Sequence, residues 1–258
     1  CCRAHPVDFN NNLVQLINHW NQEDNLMRQG HEVTSCDHCW IYERQGIQSY
    51  RQQTKNEDDQ NFETIDIDFS NLCNHMCVYC SPMYSSQWED SIVKQGMFQL
   101  ISATNRENLS VNKNSQYTKQ NLESVLNYIS SRPDKSIILG FLGGEPLMQQ
   151  RNIEKILEIS SSKIAKLSIS TNLNPPSNRI MKLMFEKLNN EVELRMSISM
   201  DASPEFNYVS RAGFNPTKFL ENLDYVKTQN ARLVFTGVCN AISIFDLNNL
   251  IKFILQNT

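Results

Sequence analysis

From Thr64 onward the chain alternates short apolar runs with stretches whose apolar residues recur every three or four positions. The runs are Ile65 to Phe69, Ile137 to Leu142, Leu167 to Thr171, Val192 to Met200 and Leu233 to Val238. Their length and β-branched content predict buried strands. Helical patterns lie between and after them: Leu122, Val125, Leu126 and Ile129; Ile153, Ile156, Leu157 and Ile159; Ile180, Leu183, Met184 and Leu188; Phe219, Leu220, Leu223 and Val226; Ile244, Leu247, Leu250, Ile251 and Ile254. Thr118 and Ser177 suit the N-caps of the first and third. Strands alternating with helices predict an α/β fold of parallel βαβ units with right-handed crossovers.

Upstream the pattern differs. Leu13, Leu16, Ile17, Trp20 and Leu26 lie among polar residues, and about half share one helical face, which predicts one or two short helices between Asn11 and Gly30. Gln52 to Asn61 is polar and charged and reads as a linker. Residues 1–60 are therefore expected to form a small, α-rich, cysteine-containing unit, and 61–258 the main domain. Gln95 to Gln116, rich in Asn, Ser and Lys, reads as an irregular insertion.

Composition narrows the class. A chain of 258 residues with 40% hydrophobic and 20% charged content can build a sizeable core. A net charge of −4 argues against a bulk nucleic-acid binder, which needs a basic footprint. No apolar run approaches a membrane span and no signal-peptide pattern is present, so a cytoplasmic location is expected. The 8 cysteines are grouped as Cys1 with Cys2, Cys36 with Cys39, and Cys73 with Cys77 and Cys80, leaving Cys239 alone. Such spacing indicates metal sites rather than disulfides. The chain starts at Cys1 rather than Met and stops at Thr258 directly after a helical pattern, so it reads as a piece lacking sequence at both ends.

The strongest chemical pattern is the C-x-x-x-C-x-x-C loop of Cys73, Cys77 and Cys80, placed directly after the first strand. Three close thiolates make a soft-metal site. They are one ligand short of a closed site, the condition that separates reactive from structural metal centres. A zinc knuckle or three structural cysteines is the plain alternative. Glu145, Asn172, Asp201 and, more weakly, Asn240 also fall at strand C-terminal ends, where such folds gather functional residues. Cys239 is expected to be buried core. His38 and His75 carry no assigned role.

The cysteine spacing, with Tyr79 just before the last cysteine, resembles the signature of radical S-adenosylmethionine (SAM) enzymes. The resemblance implies a [4Fe-4S] cluster on Cys73, Cys77 and Cys80, with SAM chelating the open iron through its amino and carboxylate groups. Gly143-Gly144-Glu145-Pro146 resembles the family's "GGEP" motif, which meets the SAM amino group; a Pro-initiated turn is the alternative. Ser170-Thr171-Asn172 resembles the "S-T-N-G" strand end, with Leu173 in place of Gly. Ser199-Met200-Asp201-Ala202 resembles "S-I-D-G", and Arg211 matches the arginine that often follows. By this resemblance Ser199 touches the ribose and Arg211 the SAM carboxylate; a strand-end turn at Asp201 and a surface arginine are the alternatives. The fold implied is a partial (β/α)6 barrel whose last strand lies beyond Thr258.

The segment Cys36-Asp37-His38-Cys39 with Glu43, Gly46, Ser49 and Arg51 resembles the cassette of radical SAM proteins that carry a truncated SPASM ("twitch") unit at the N-terminus. It implies an auxiliary iron–sulfur cluster on Cys36, Cys39 and Cys1 or Cys2, with zinc as the rival metal. The family's chemistry is reductive cleavage of SAM to a 5′-deoxyadenosyl radical that abstracts hydrogen from a substrate. A peptide or protein side chain is the expected substrate, a small metabolite the alternative, and a flavodoxin or ferredoxin the expected electron donor. A non-catalytic zinc or iron–sulfur module is the rival class.

Overall fold

The structure, a computed structural model, describes residues 13–49, 51–52, 63–82, 84–91, 115–159, 161–188 and 191–257, and of residues 13–14 and 115–121 the backbone only. Cys1, Cys2, most of the expected linker and nearly all of the expected insertion lie outside the described residues. The chain divides into two compact units, Cys1–Phe62 with Asn114–Tyr128, and Glu63–Lys113 with Ile129–Thr258.

In the first unit, helix α1 (Leu13–Arg28) is followed by a 3-10 turn (Thr34–Cys36) and helix α2 (Asp37–Arg44). Val33, Cys36 and Trp40 form a small buried cluster with Met27 against it. Gly46, at φ +73, ends α2. Its N–H bonds Glu43 O, and Ile47 N–H bonds Tyr42 O, closing the helix in the left-handed manner that glycine allows. Beyond that turn, Glu43 accepts from Ser49 Oγ at 2.5 Å and from Arg51, whose guanidinium lies 3.9 Å above the Trp40 ring. The Glu, Gly, Ser and Arg of the cassette thus form one local structure.

In the second unit the strands are β1 (Glu63–Asp68), β2 (Met76–Cys77), β3 (Ile137–Leu142), β4 (Ile164–Thr171), β5 (Glu193–Ser199), β6 (Arg211–Ala212) and β7 (Arg232–Thr236). Among the described residues β1, β3, β4, β5 and β7 form a five-stranded sheet in that order, every pair parallel. This is the α/β architecture of a partial (β/α) barrel. β2 and β6 form a separate antiparallel ribbon. Parallel neighbours need crossovers, and helices α5 (Gln150–Leu157), α6 (Arg179–Leu188) and α7 (Pro216–Lys227) follow β3, β4 and β5, with α8 (Leu247–Asn257) after β7; earlier in the chain, α3 (Ser86–Glu89) follows the cysteine loop and α4 (Ser115–Ser130) falls largely in the first unit.

Alternation separates the sheet's two faces. Leu139, Phe141, Leu167, Ile169, Met196 and Ile198 are buried, as are Ile153, Ile156, Ile180, Met184, Phe219 and Val226 on the helices. Phe253 of α8 packs near both Phe219 of α7 and Phe235 of β7. The opposite face is polar and open. Parallel register sets Asp66, Gly140, Ser168, Arg195 and Arg232 in one row across it.

Five expectations need correction. β4 begins at Ile164, three residues before the apolar run, because Lys166 lies on the open face and pairs with Glu193 at 3.7 Å. Thr118 is inside α4, which starts at Ser115, so it is not the cap. Ile159 lies past the end of α5. Cys239 is exposed rather than buried, because it follows β7, the last strand of the sheet. Ser177 lies one residue before the N-cap position, since Lys182 N bonds Asn178 O, but its Oγ still accepts from Arg179 N, the first N–H of α6, at 3.3 Å.

Candidate functional site

The cysteine loop leaves the C-terminal end of β1 and is fastened by its own carbonyls. Ser86 Oγ donates to Cys73 O (3.1 Å), Ser85 Oγ to His75 O (2.6 Å) and Trp88 Nε1 to Cys77 O (2.8 Å). All three donors come from α3 and its N-cap, Ser85, which accepts from Trp88 N. Across the ribbon Val78 N donates to Ser210 O at 2.9 Å. Meeting these buried carbonyls removes the loop's freedom to rearrange.

Cys73 and Cys77 are buried and Cys80 is half-buried. Burial pushes the Cys73 thiol up to about 12 and Cys77 up to about 11, and raises Cys80 as well. Without a cation these groups remain protonated; a soft metal centre would bind them by releasing protons. Among the described residues no three His, Cys, Asp or Glu side chains converge to hold one ion. A four-iron cluster asks for a wider triangle, because each thiolate takes its own iron. Three cysteine thiols on one anchored loop fit that group. His75, between the cysteines, is 1% exposed and packs edge-on against Phe214. Burial and the nearby Arg211 lower its pKa to about 4 against the opposing influence of the neighbouring Asn174 amide, and among the described residues neither ring nitrogen has a partner in good hydrogen-bond geometry.

The Gly143-Gly144-Glu145-Pro146 turn lies against this loop. Gly143 and Gly144 have φ of +75 and +51. A Cβ at Gly144 would lie 2.4 Å from Leu72 O and 2.8 Å from Ser70 O, and one at Gly143 would lie 1.6 Å from Asp68 Oδ1, so only glycine permits the approach. Pro146 opens the short 3-10 turn that follows. The Glu145 carboxylate is buried beneath the turn. Its Oε1 accepts from Thr171 Oγ1 (2.6 Å) and Leu147 N (3.0 Å), and its Oε2 from Asn172 N (2.7 Å). Burial nevertheless pushes it up to about 7. Asn172 carries the connection onward, its Nδ2 reaching Asn74 Oδ1 in the cysteine loop at 2.9 Å. Leu173 takes φ +52, the conformation glycine would favour there. It is fully buried, its N–H bonds Thr171 Oγ1 (2.9 Å), and its carbonyl accepts from Asn222 Nδ2 (3.0 Å).

A buried ion pair stands on the other side of the cysteine loop. Asp201 receives Arg211 Nε on Oδ2 (3.0 Å) and Arg211 Nη2 on Oδ1 (3.2 Å). Arg211 Nη2 also donates to the Tyr79 hydroxyl, which donates in turn to Asp201 Oδ2 at 3.0 Å. Ser210 Oγ and Val238 N complete the carboxylate's partners at 3.2 and 2.9 Å. Arg211 Nη1 lies 3.8 Å from Cys77 Sγ. Burial disfavours the guanidinium's charge, but Cys77, Asp201 and Tyr79 more than offset it and raise its pKa. Burial also raises the Tyr79 phenol.

Ser170 and Ser199 are half-buried on the open face, at the C-terminal ends of β4 and β5. Asn240 accepts from Ile242 N and Ser243 N at 3.0 and 3.1 Å and shapes its own turn. In the first unit Cys36 and Cys39 are buried, and burial raises the Cys36 thiol. His38 Nε2 lies 3.5 Å from Cys39 Sγ.

The sequence reading did not single out Ser85, Ser86 and Trp88, which hold the loop, or Asn207, whose Oδ1 accepts from Asp201 N at 2.9 Å. Thr171 was available only as the middle of a strand-end motif. The Ser-x-x-Trp beside the cysteines was the one local signal, an N-cap directly after the loop.

Comparison with known proteins follows the same lines. Residues 67–249 match the Radical SAM superfamily. The radical SAM cyclopropyl synthase TigE of Paramaledivibacter caminithermalis is 25% identical over 226 residues, covering 84% of this chain and 45% of that protein. An S-adenosylmethionine-dependent nucleotide dehydratase of Psychrobacter lutiphocae is 24% identical over 193 residues, covering 72% of this chain and 59% of that protein. The chain thus spans about half the length of these curated relatives. The crystal structure of Streptococcus suis SuiB bound to S-adenosylmethionine aligns over 94% of this chain and 49% of that one, with a TM-score of 0.44 and 13% identity. With most of its length inside the family match, and that match spanning the cysteine loop, the Glu145 turn and the Asp201–Arg211 pair, the chain belongs to the radical SAM superfamily.

Proposed function

We propose that this chain carries the catalytic core of a radical SAM enzyme, with Cys73, Cys77 and Cys80 as the protein ligands of a [4Fe-4S] cluster. The observation that carries the reading is the anchored loop of three thiols, two of them buried and one half-buried, flanked by the Gly-Gly-Glu turn and by a buried arginine. When bound, the cluster supplies one electron to SAM, whose cleavage yields the 5′-deoxyadenosyl radical that takes hydrogen from the substrate. The chain's own part is positional. Gly143 and Gly144 let the turn pack directly on the residues that lead into the cysteine loop. The backbone of the Glu145 turn would face the SAM amino group, Ser170, Asn172 and Ser199 the rest of the cofactor, and Arg211 its carboxylate side. The polar sheet face below would receive the substrate, with Asp66 near one edge of its row and Arg195 and Arg232 at the other.

A peptide or protein side chain is the preferred substrate, because the N-terminal cassette resembles those of peptide-modifying twitch proteins. A small anionic metabolite is the second reading; the nucleotide dehydratase among the relatives and the paired arginines favour it. Cys36 and Cys39, with Cys1 or Cys2, are proposed to hold an auxiliary iron–sulfur cluster, with zinc as the competing metal. A flavodoxin or ferredoxin would deliver the electron.

Anaerobic reconstitution of the full-length protein tests the reading: iron and sulfide per chain, then 5′-deoxyadenosine after addition of dithionite and SAM. Cys77→Ala should abolish the product, whereas Cys36→Ala should leave SAM cleavage partly intact and lower the iron content. A protein that takes up zinc alone and forms no 5′-deoxyadenosine would refute the proposal.

A further inference from the structure

Arg211 has five N–H groups, and the structure assigns four of them. Nε–H goes to Asp201 Oδ2, the two on Nη2 go to Asp201 Oδ1 and the Tyr79 hydroxyl, and one on Nη1 points toward Cys77 Sγ at 3.8 Å. The fork that could grip a free carboxylate in two-point fashion is filled by Asp201. That carboxylate is itself buried and fixed by Ser210 and Val238, so the pair is not free to turn over. Tyr79 closes the remaining side of Nη2. What the guanidinium presents outward is Nη1, and its neighbour there is the sulfur of a cysteine.

We propose that Arg211 donates an N–H···S hydrogen bond to the Cys77 thiolate of the bound cluster and thereby raises the cluster's reduction potential, with Asp201 as the positioning residue that holds the guanidinium there. A hydrogen bond donated to a cluster sulfur stabilises the more negative, reduced form and is among the determinants of potential, whereas the guanidinium's charge is largely offset by Asp201 beside it. This differs from a role confined to binding SAM. It rests on Cys77 being a cluster ligand.

The experiment is EPR-monitored redox titration of the reconstituted full-length protein without SAM, with SAM affinity measured separately. Arg211→Ala should disfavour reduction at least tenfold, a fall in midpoint potential of about 59 mV for one electron. Arg211→Lys keeps the charge and loses the fork, so its midpoint should fall nearly as far. A lysine variant with the wild-type midpoint would show that charge alone acts, and an alanine variant that loses only SAM affinity would assign Arg211 to SAM; either overturns the proposal. The wild-type protein supplies an independent measurement if the variants do not assemble. Its Fe–S(Cys) stretching bands should shift between H2O and D2O in resonance Raman spectra, and Asp201→Asn should reduce that shift. No isotope shift in cluster-bearing wild-type protein refutes the hydrogen bond, whereas failure of the wild type to take up any cluster refutes the radical SAM reading beneath it.

Discussion

Thr171 donates its hydroxyl to Glu145 Oε1 at 2.6 Å, tying the end of one parallel strand to the turn that follows its neighbour. The Glu145 carboxylate is thereby a brace between strand ends as much as a group facing a ligand. Burial still dominates its titration. In the cofactor-free protein its pKa is about 7, against an ordinary 4.5. The folded state then holds a proton that the unfolded state has released, so this group's contribution to stability is present below about pH 4.5 and is lost as pH rises through 7. Urea unfolding of the cofactor-free protein and of Glu145→Gln should show a stability difference that moves against the wild type across that window. A difference independent of pH would mean Glu145 is ionised throughout.

Leu173 sets two effects against each other. A non-glycine residue in the left-handed region costs about 1–2 kcal/mol, which Leu173→Gly would recover. The same change removes a fully buried side chain, a loss of about 2–5 kcal/mol for large-to-small core changes. The cavity outweighs the strain over most of these ranges, so Leu173→Gly should lower stability by up to about 4 kcal/mol in chemical denaturation. A stabilised variant would show that strain, not packing, dominates at this turn.

Gly144 has no such latitude. An added methyl group meets the backbone carbonyls of Leu72 and Ser70, neither the end of a flexible side chain. Gly144→Ala should cost about 1–3 kcal/mol or more, visible as a lowered thermal midpoint. Iron uptake should fall with it, because Leu72 immediately precedes Cys73. Normal iron content in this variant would show that the turn and the cysteine loop are not coupled.

Much of the fold could be read from the sequence, and the site less completely. The limits of β3 coincide with its apolar run because both of its ends are sharp: polar residues precede it and two glycines follow. β4 was shortened in the reading because Lys166 breaks the apolar pattern on the polar face of the sheet. The three thiols could be foreseen from spacing because one loop carries them all. The Asp201–Arg211–Tyr79 arrangement could not. Tyr79 and Asp201 are 122 residues apart, and their meeting depends on how the β2–β6 ribbon folds, which no local pattern encodes. Leu173 in the place of Gly marked a departure from the motif, yet the backbone keeps the left-handed turn because burial and the bonds to Thr171 and Asn222 hold it.

Asp246 offers a test away from the cysteine loop. It is buried, its Oδ2 accepts from Ser203 N and its Oδ1 from Asn249 Nδ2, each at 2.7 Å. Burial alone would raise its pKa, but these bonds outweigh it and hold the carboxyl below 3.8. The stabilisation is therefore present above about pH 3.8 and is lost as pH falls through the lower folded value. Asp246→Ala should cost about 1–3 kcal/mol at neutral pH and blunt the acid limb of the stability curve. Equal acid sensitivity in the variant would remove Asp246 from that limb.

The contact between Arg211 and Cys77 spans 134 residues of chain. During synthesis at about 5–20 residues per second, the arginine emerges roughly 7–27 s after the cysteine. For that interval the nascent loop carries three thiols without the cation and the strand that later enclose them. The order of the chain therefore leaves the cysteines open to oxidation or to premature metal capture before the pocket closes.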